Sequence, residues 1–257
     1  QILAYGGEIR FYSQVTDLKL SSSQELLGLV VTDPRTGKSE EITARIAVLA
    51  VGHSARDTFS MLMEQGVPMH AKAFATGVRI EHPQSMVNLS QYGKESVEGL
   101  GAAAYKLTAN LPSGRGVYTF CMCPGGYVVN ASSEEGRIAV NGMSYHARDG
   151  KNANSAVVVT VDPADFGSDS PLAGMEFQRR LEEAAFKAGR GKIPVQLYED
   201  FCKNQPSAGP GAVTPMIKGA YAWSNVRSIF PEEIGDALEM GIREFDKKLK
   251  GYARGDA

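Results

Sequence analysis

The sequence predicts an α+β fold in two parts: an antiparallel meander with one capped helix, then a mixed β-sheet domain with flanking helices. Three observations predict it. Residues 1–52 carry apolar residues at the two-residue period of strands, broken by turn chemistry. A helix-periodic segment follows directly after Gly52. From residue 72 onward β-branched stretches return at fairly regular spacing, together with two amphipathic helical patterns. The predicted division is 1–73 and 74–257.

In the first part, "GGEIRFYS" sets Ile9 and Phe11 against Glu8 and Arg10, and "VTDLKL" places Leu18 and Leu20 on one face. "LLGLVVTD" is β-branched and apolar, and "DPRTGK" supplies a turn, with Pro34 fixing φ and Gly37 free to take positive φ. "SEEITARIAVLAV" reads as the last and most buried strand, since residues 44–51 are apolar apart from Arg45. That strand is expected to stop at Gly52 and hand over to a helix. Ser54 is the expected N-cap, with Asp57 three residues on completing a capping box. Ala55, Phe59, Leu62 and Met63 form the helix stripe, and Gly66 is its expected C-terminal glycine.

In the second part, "FATGVRIEHP", the two strands around Cys123-Pro124-Gly125-Gly126, "RIAVNGMSYHARDG" and "NANSAVVVTV" are strand candidates. The helix expected over 175–189 carries Phe177, Leu181, Ala185 and Phe186 on one stripe. A second begins with Pro231 near its first turn and carries Ile234, Leu238, Ile242, Phe245 and Leu249. Residues 203–214 read as a polar Pro/Gly-rich loop.

Bulk composition narrows the function classes. The chain has 257 residues, 43% hydrophobic and 22% charged, as in ordinary globular domains. A formal net charge of −2 gives no basic field, so neither a nucleic acid nor an anionic membrane surface is an expected partner. No apolar run approaches the roughly 20 residues of a membrane-spanning helix. The N-terminus lacks the pattern of a signal peptide, and it begins without Met as if inside an element, so the chain is expected to be a piece of something longer. Three cysteines point to a reducing compartment, with a cytoplasmic location expected. Four histidines, at 53, 70, 82 and 146, show no metal-ligand spacing, and no metal site is expected.

Several stretches could carry chemistry. The joint at Gly52, His53 and Ser54 presents free N–H groups and the positive end of a helix dipole, as at the rim of a nucleotide site. Any α/β joint shares these features. Cys121 and Cys123, two apart on a strand, would point the same way and could form a redox pair or half a metal site; the alternative is two small buried hydrophobes. Gly125 and Gly126 remove two Cβ atoms, which suits either close approach of a planar ligand or a plain turn. The segment 141–156 offers Asn141, Ser144, His146, Arg148 and Asn154 as polar substrate anchors, or else forms a solvated hairpin loop. Arg79 and Glu81 face one side, either as an ion pair or with Arg79 aimed at a substrate carboxylate. No GxGxxG, P-loop or nucleophile elbow occurs.

Taken together, "AVLAVGHSARDTFSML", "GVPMHAKAFATGVRIEHPQ", the "YTFCMCPGGYVVNASSEEGRIAVNGMSYHARDGKNANSA" block and the late "DFC" resemble the uncharacterised FAD-dependent dehydrogenases, bacterial NAD(P)/FAD-dependent oxidoreductases. The resemblance spans nearly the whole chain. It implies that 1–73 is the middle of a discontinuous FAD-binding domain and 74–257 an inserted substrate domain. It implies cofactor contacts at Val15, Ala50, Gly52 and His53, and Cys123, Pro124, Gly125 and Gly126 are added as candidates for the flavin side. Arg79, Asn141, Ser144, His146, Arg148 and Asn154 are the candidate substrate contacts. The fingerprint half and the C-terminal flavin-covering segment are missing, so FAD is expected in a full-length parent and not in this chain alone. A small-molecule substrate and NAD(P)H as candidate electron donor follow from the resemblance. A non-catalytic docking module and thiol redox through Cys121 and Cys123 are the alternatives.

Overall fold

The computed structural model describes residues 1–257, which divide into two compact units. The architecture is α+β, with several small sheets and six α-helices. One unit comprises 1–71 with 170–172, the other 72–169 with 173–257.

The first unit is built on a three-stranded antiparallel meander of β1 (Gln14–Leu20), β2 (Leu26–Thr32) and β3 (Ser39–Thr43). Its turn at Asp33 is closed by the side chain, which accepts from the Arg35 backbone N–H at 2.8 Å. Helix α1 (Arg56–Glu64) follows. Gln65 donates its side-chain amide to Asp17 on β1 at 2.6 Å, which ties the end of this helix to the meander.

Three local expectations fail in this unit. Residues 6–13, including Ile9 and Phe11, are not a strand. Residues 44–53 are irregular, and from residue 45 on exposed, rather than a buried strand; Ile46 and Val48 are 85% and 87% exposed. After Ala44 N–H bonds to Leu27 O at 3.2 Å, no strand of this chain lies alongside, and an apolar run cannot be a sheet strand without a neighbour for its N–H and C=O groups. The Ser54–Asp57 capping box does not form. Ala55 is the N-cap without a side-chain bond, and Asp57 instead accepts from Gln14 at 2.6 Å. The C-terminal expectation holds: Gly66 has φ +74° and its N–H reaches Met63 O at 3.0 Å.

The second unit contains β4 (Phe74–Pro83), α2 (Gln84–Tyr92), β5 (Thr108–Asn110), β6 (Gly116–Cys123), β7 (Gly126–Asn130), β8 (Val140–Ser144) and β9 (Asn152–Val161). These are followed by α3 (Pro163–Phe166), α4 (Ala173–Ala188), β10 (Ile193–Val195), α5 (Tyr198–Cys202), β11 (Ile217–Lys218), β12 (Tyr221–Trp223) and α6 (Glu232–Asp246). The main sheet has the order β4-β9-β6-β5, all antiparallel. A second sheet, β11-β7-β8, joins the antiparallel pair β7–β8 to a short parallel strand, and β10 pairs parallel with β12.

Period-two alternation decides what each face of the central strand β9 does. Ala153, Ser155, Val157, Val159 and Val161 are fully buried on one face. Helix α6 supplies the core there: Ile234, Leu238, Ile242, Phe245 and, just beyond it, Leu249 are all buried, as the heptad-like stripe requires. Gly241 lets that helix approach, since a Cβ there would lie 2.3 Å from Val117 Cγ1. The opposite face carries Asn154 and Ala156 beside Arg79 and Glu81 of β4, and this is the face that bears the candidate site. No helix is long and apolar enough to cross a membrane.

Candidate functional site

The site is built on the β4–β9–β6 register. Asn154 on β9 stands opposite Glu81 on β4 and opposite Cys123 on β6. Arg79, two residues before Glu81, lies diagonally across from Asn154, within reach of a long side chain. Its guanidinium donates from Nε to Asn154 Oδ1 at 2.9 Å and from Nη1 to Asn141 Oδ1 of β8 at 3.1 Å. Nη2 donates to the Cys121 carbonyl oxygen and lies 3.6 Å from Cys123 Sγ. Four strands from two sheets thus meet at one cation. Gly142 makes the space: a Cβ there would lie 2.3 Å from Arg79 Nη2 and 2.4 Å from Asn154 Oδ1.

The electrostatics are unusual for an arginine. Its bonded partners are two amides, a carbonyl and a thiol, and it forms no salt bridge with a carboxylate. Burial is the largest influence and lowers its pKa, while the nearby Cys123, Cys121 and Tyr105 oppose that. The guanidinium still stays charged, because its intrinsic basicity is so high. Glu81 does not pair with it. Its carboxylate accepts the Met216 N–H at 3.0 Å and the Asn152 amide at 3.2 Å. Burial raises the Glu81 pKa, against the pull of those donors and of Arg79. Asn154 is fully buried, and its Nδ2 has no hydrogen-bond partner. A desolvated cation beside an unused amide donor is suited to an anionic or carbonyl-bearing group.

Arg79 and Glu81 also line a cavity of about 420 Å³, walled largely by apolar side chains including Val158, Leu181, Phe201, Trp223 and Ile229. Its size and its few convergent polar groups are those of a small-molecule site.

Of the residues expected to touch substrate, Arg79, Asn141 and Asn154 come together. Ser144 serves the neighbouring turn, donating to Pro124 O at 2.6 Å. His146 and Arg148 are exposed, and their side chains do not join the cluster. Among the expected cofactor residues, Cys123 lies in the cluster. Val15, Ala50, Gly52 and His53 belong to the other unit, where Ala50, Gly52 and His53 are exposed in an irregular segment.

The Pro124-Gly125-Gly126 turn is buried and packed by the chain itself. A Cβ on Gly125 would lie 2.0 Å from Arg148 O, and Gly125 O accepts the Gly150 N–H at 3.1 Å. A Cβ on Gly126 would lie 2.6 Å from Met143 O. The close approach these glycines permit is that of the chain's own backbone. The two thiols do not share a simple strand face either. A register shift between Phe120 and Cys123 and φ +43° at Cys121 break the alternation, leaving Cys121 exposed and Cys123 half-buried.

The Gly125–Gly126 turn does not make a dinucleotide cradle. The Gly125–Gly126 surface is filled by main chain, and no glycine-rich turn opens a helix. No group of three or more His, Cys, Asp or Glu side chains is placed to hold a metal ion. One residue that no spacing rule could flag is Gln84, buried at the start of α2. Its Oε1 accepts the Gly125 N–H at 2.7 Å and its Nε2 donates to Ala103 O at 2.9 Å, so it holds the turn in place.

Comparison with known proteins gives the family. A family model described as FAD-dependent protein, C-terminal domain-like, matches residues 73–257. An uncharacterized protein of Clostridium beijerinckii is 51% identical over 261 residues, an alignment that covers 100% of this chain and 48% of that protein. The chain therefore spans about half the length of that relative. With a match over most of its length, and over all but the first residue of the unit that carries the Arg79 cluster, the chain belongs to the FAD-dependent protein C-terminal domain-like family.

Proposed function

We propose that this chain is chiefly the substrate-facing domain of a FAD-dependent oxidoreductase whose full length resembles that of the longer relative. The observation that carries the reading is Arg79: a cation desolvated among neutral acceptors, at the wall of an apolar cavity, in a family named for its flavin dependence. A guanidinium with no carboxylate partner in such a place attracts an incoming carboxylate or other anion. Asn141 and Asn154 fix the plane of the guanidinium, and the unused Asn154 Nδ2 is a further donor beside it.

FAD would be held mainly by residues of the full-length protein outside this chain, and hydride transfer is its chemistry. The residues seen here would bind, orient and desolvate the substrate. NAD(P)H is the proposed electron donor.

The experiment uses the full-length protein. Its absorbance spectrum should show bound flavin, and reduction of the flavin by a panel of small carboxylates or ketones, or its reoxidation by them, should identify the substrate class. Arg79→Gln should raise KM for an anionic substrate by roughly 10- to 100-fold, the loss of a charge-assisted pair, with flavin content unchanged. A full-length protein without flavin would overturn the reading.

A further inference from the structure

We propose that Cys121 and Cys123 form a reversible dithiol–disulfide pair seated on the Arg79 guanidinium, and that this pair exchanges with small-molecule disulfides. The step needs no flavin and is independent of the oxidoreductase reading above.

The first observation is the backbone at Cys121. It takes φ +43° in a bulge of β6, a conformation that glycine or asparagine adopts far more readily than cysteine. Its side chain is exposed, so core packing does not explain the residue. The bulge turns the chain so that Cys123 Sγ lies 3.4 Å from Cys121 O, which brings the sulfur to the neighbouring cysteine's own main chain. Both thiols are free.

The second observation is the cation they share. One guanidinium nitrogen, Arg79 Nη2, serves both residues, bonding the Cys121 carbonyl oxygen and reaching Cys123 Sγ at 3.6 Å. No carboxylate occupies that nitrogen, so its charge is available to a sulfur anion, as thiol exchange requires. The third thiol, Cys202 on α5, lies beside Tyr198 and Arg243, which pull its pKa down, but burial is the largest influence and raises it.

In the first step the Cys123 thiolate attacks one sulfur of a disulfide R–S–S–R. A Cys123–S–S–R bond forms, the R–S–S–R bond breaks, and RS⁻ leaves. In the second, the Cys121 thiolate attacks Cys123 Sγ. The Cys121–Cys123 bond forms and the second RS⁻ leaves. The two protons released by the cysteines are taken up by the two leaving thiolates. The protein loses two electrons and the small disulfide gains them. A disulfide spanning a single residue is strained, and strained or exposed disulfides have high potentials and exchange readily.

The test incubates the full 257-residue chain with bis(2-hydroxyethyl) disulfide and follows intact mass and peptide maps with time. The expected product has lost two hydrogens, carries no adduct at Cys121 or Cys123, and yields one peptide with both cysteines linked. Cys121→Ser should stop at a stable mixed disulfide on Cys123. Arg79→Gln should slow the loss of the two thiols by roughly tenfold or more relative to Cys202 in the same molecule. Arg79→Lys, which keeps the charge, should restore most of that rate, and it carries the comparison if Arg79→Gln fails to fold. The proposal is overturned if the unaltered chain accumulates separate stable adducts on the two cysteines. It is equally overturned if Cys123 in the folded protein reacts no faster than Cys202.

Discussion

His82 Nε2–H donates to the Tyr252 carbonyl oxygen at 2.7 Å, with the two ring centroids 4.4 Å apart. His82 is fully buried and its Nδ1 has no partner, so the ring sits neutral in the core with one nitrogen unused. Burial holds its pKa down at about 4 from an ordinary 6.5. The Tyr252 carbonyl, Asp256 and Asp246 oppose the shift, and Arg254 adds to it. Between those values the unfolded chain binds more protons than the folded one. Stability should therefore be full above about pH 6.5 and fall as the pH drops toward 4, by at most about 3 kcal/mol. Urea unfolding across this window measures it, and His82→Gln should flatten the decline. An equal decline in that variant would assign it to other groups.

Gly125→Ala should destabilise the second unit, on the order of 2–4 kcal/mol, because it places a side chain at φ +49° and drives a Cβ to 2.0 Å from Arg148 O. Thermal unfolding reads this directly. A larger side chain such as Val would disturb the fold still more, so position 125 cannot serve as a clean probe of ligand approach. An unchanged Tm for Gly125→Ala would mean that segment 148–150 gives way.

Gly142 and Arg148 discriminate within the site. In the full-length protein Gly142→Ala should displace the guanidinium, since its Cβ would lie 2.3 Å from Arg79 Nη2, and turnover should fall by roughly tenfold with flavin content retained. Arg148→Ala removes an exposed side chain outside the cluster, and turnover should stay within about twofold of the starting protein. The opposite ranking in steady-state assays would shift the site from the β4–β8–β9 junction to the 145–150 loop.

The isolated 257-residue chain should purify colourless and, after incubation with FAD and desalting, retain no absorbance near 450 nm. Pyrophosphate binding in dinucleotide folds relies on a glycine-rich turn at a helix N-terminus, and the only helix start near the exposed Gly52 has no such turn. A yellow protein with one FAD per chain would show that these residues suffice.

The sequence by itself determined the elements whose pattern is long and periodic. The α6 stripe of Ile234, Leu238, Ile242 and Phe245 and the β-branched run at the end of β9 are buried as their periods require, because burial of one face is what those periods encode. It also showed the paired glycines after Pro124 and the polar residues Arg79, Asn141 and Asn154. It could not say that these three meet, because they lie on β4, β8 and β9, and only the register of β4 on β9 and the packing of β8 above them sets the distances. Nor could it tell that the Gly125 Cβ position is filled by the Arg148 carbonyl rather than open to a ring.

Residues 44–51 show the converse. Their composition is that of a buried strand, yet beyond Ala44 they lie exposed and outside any sheet, since hydrophobicity states what a segment would bury while only a neighbouring strand can supply hydrogen bonds to its backbone. Local pattern fixed which faces are apolar. Tertiary structure alone decided which polar groups share one cation, because that depends on contacts between residues more than forty positions apart.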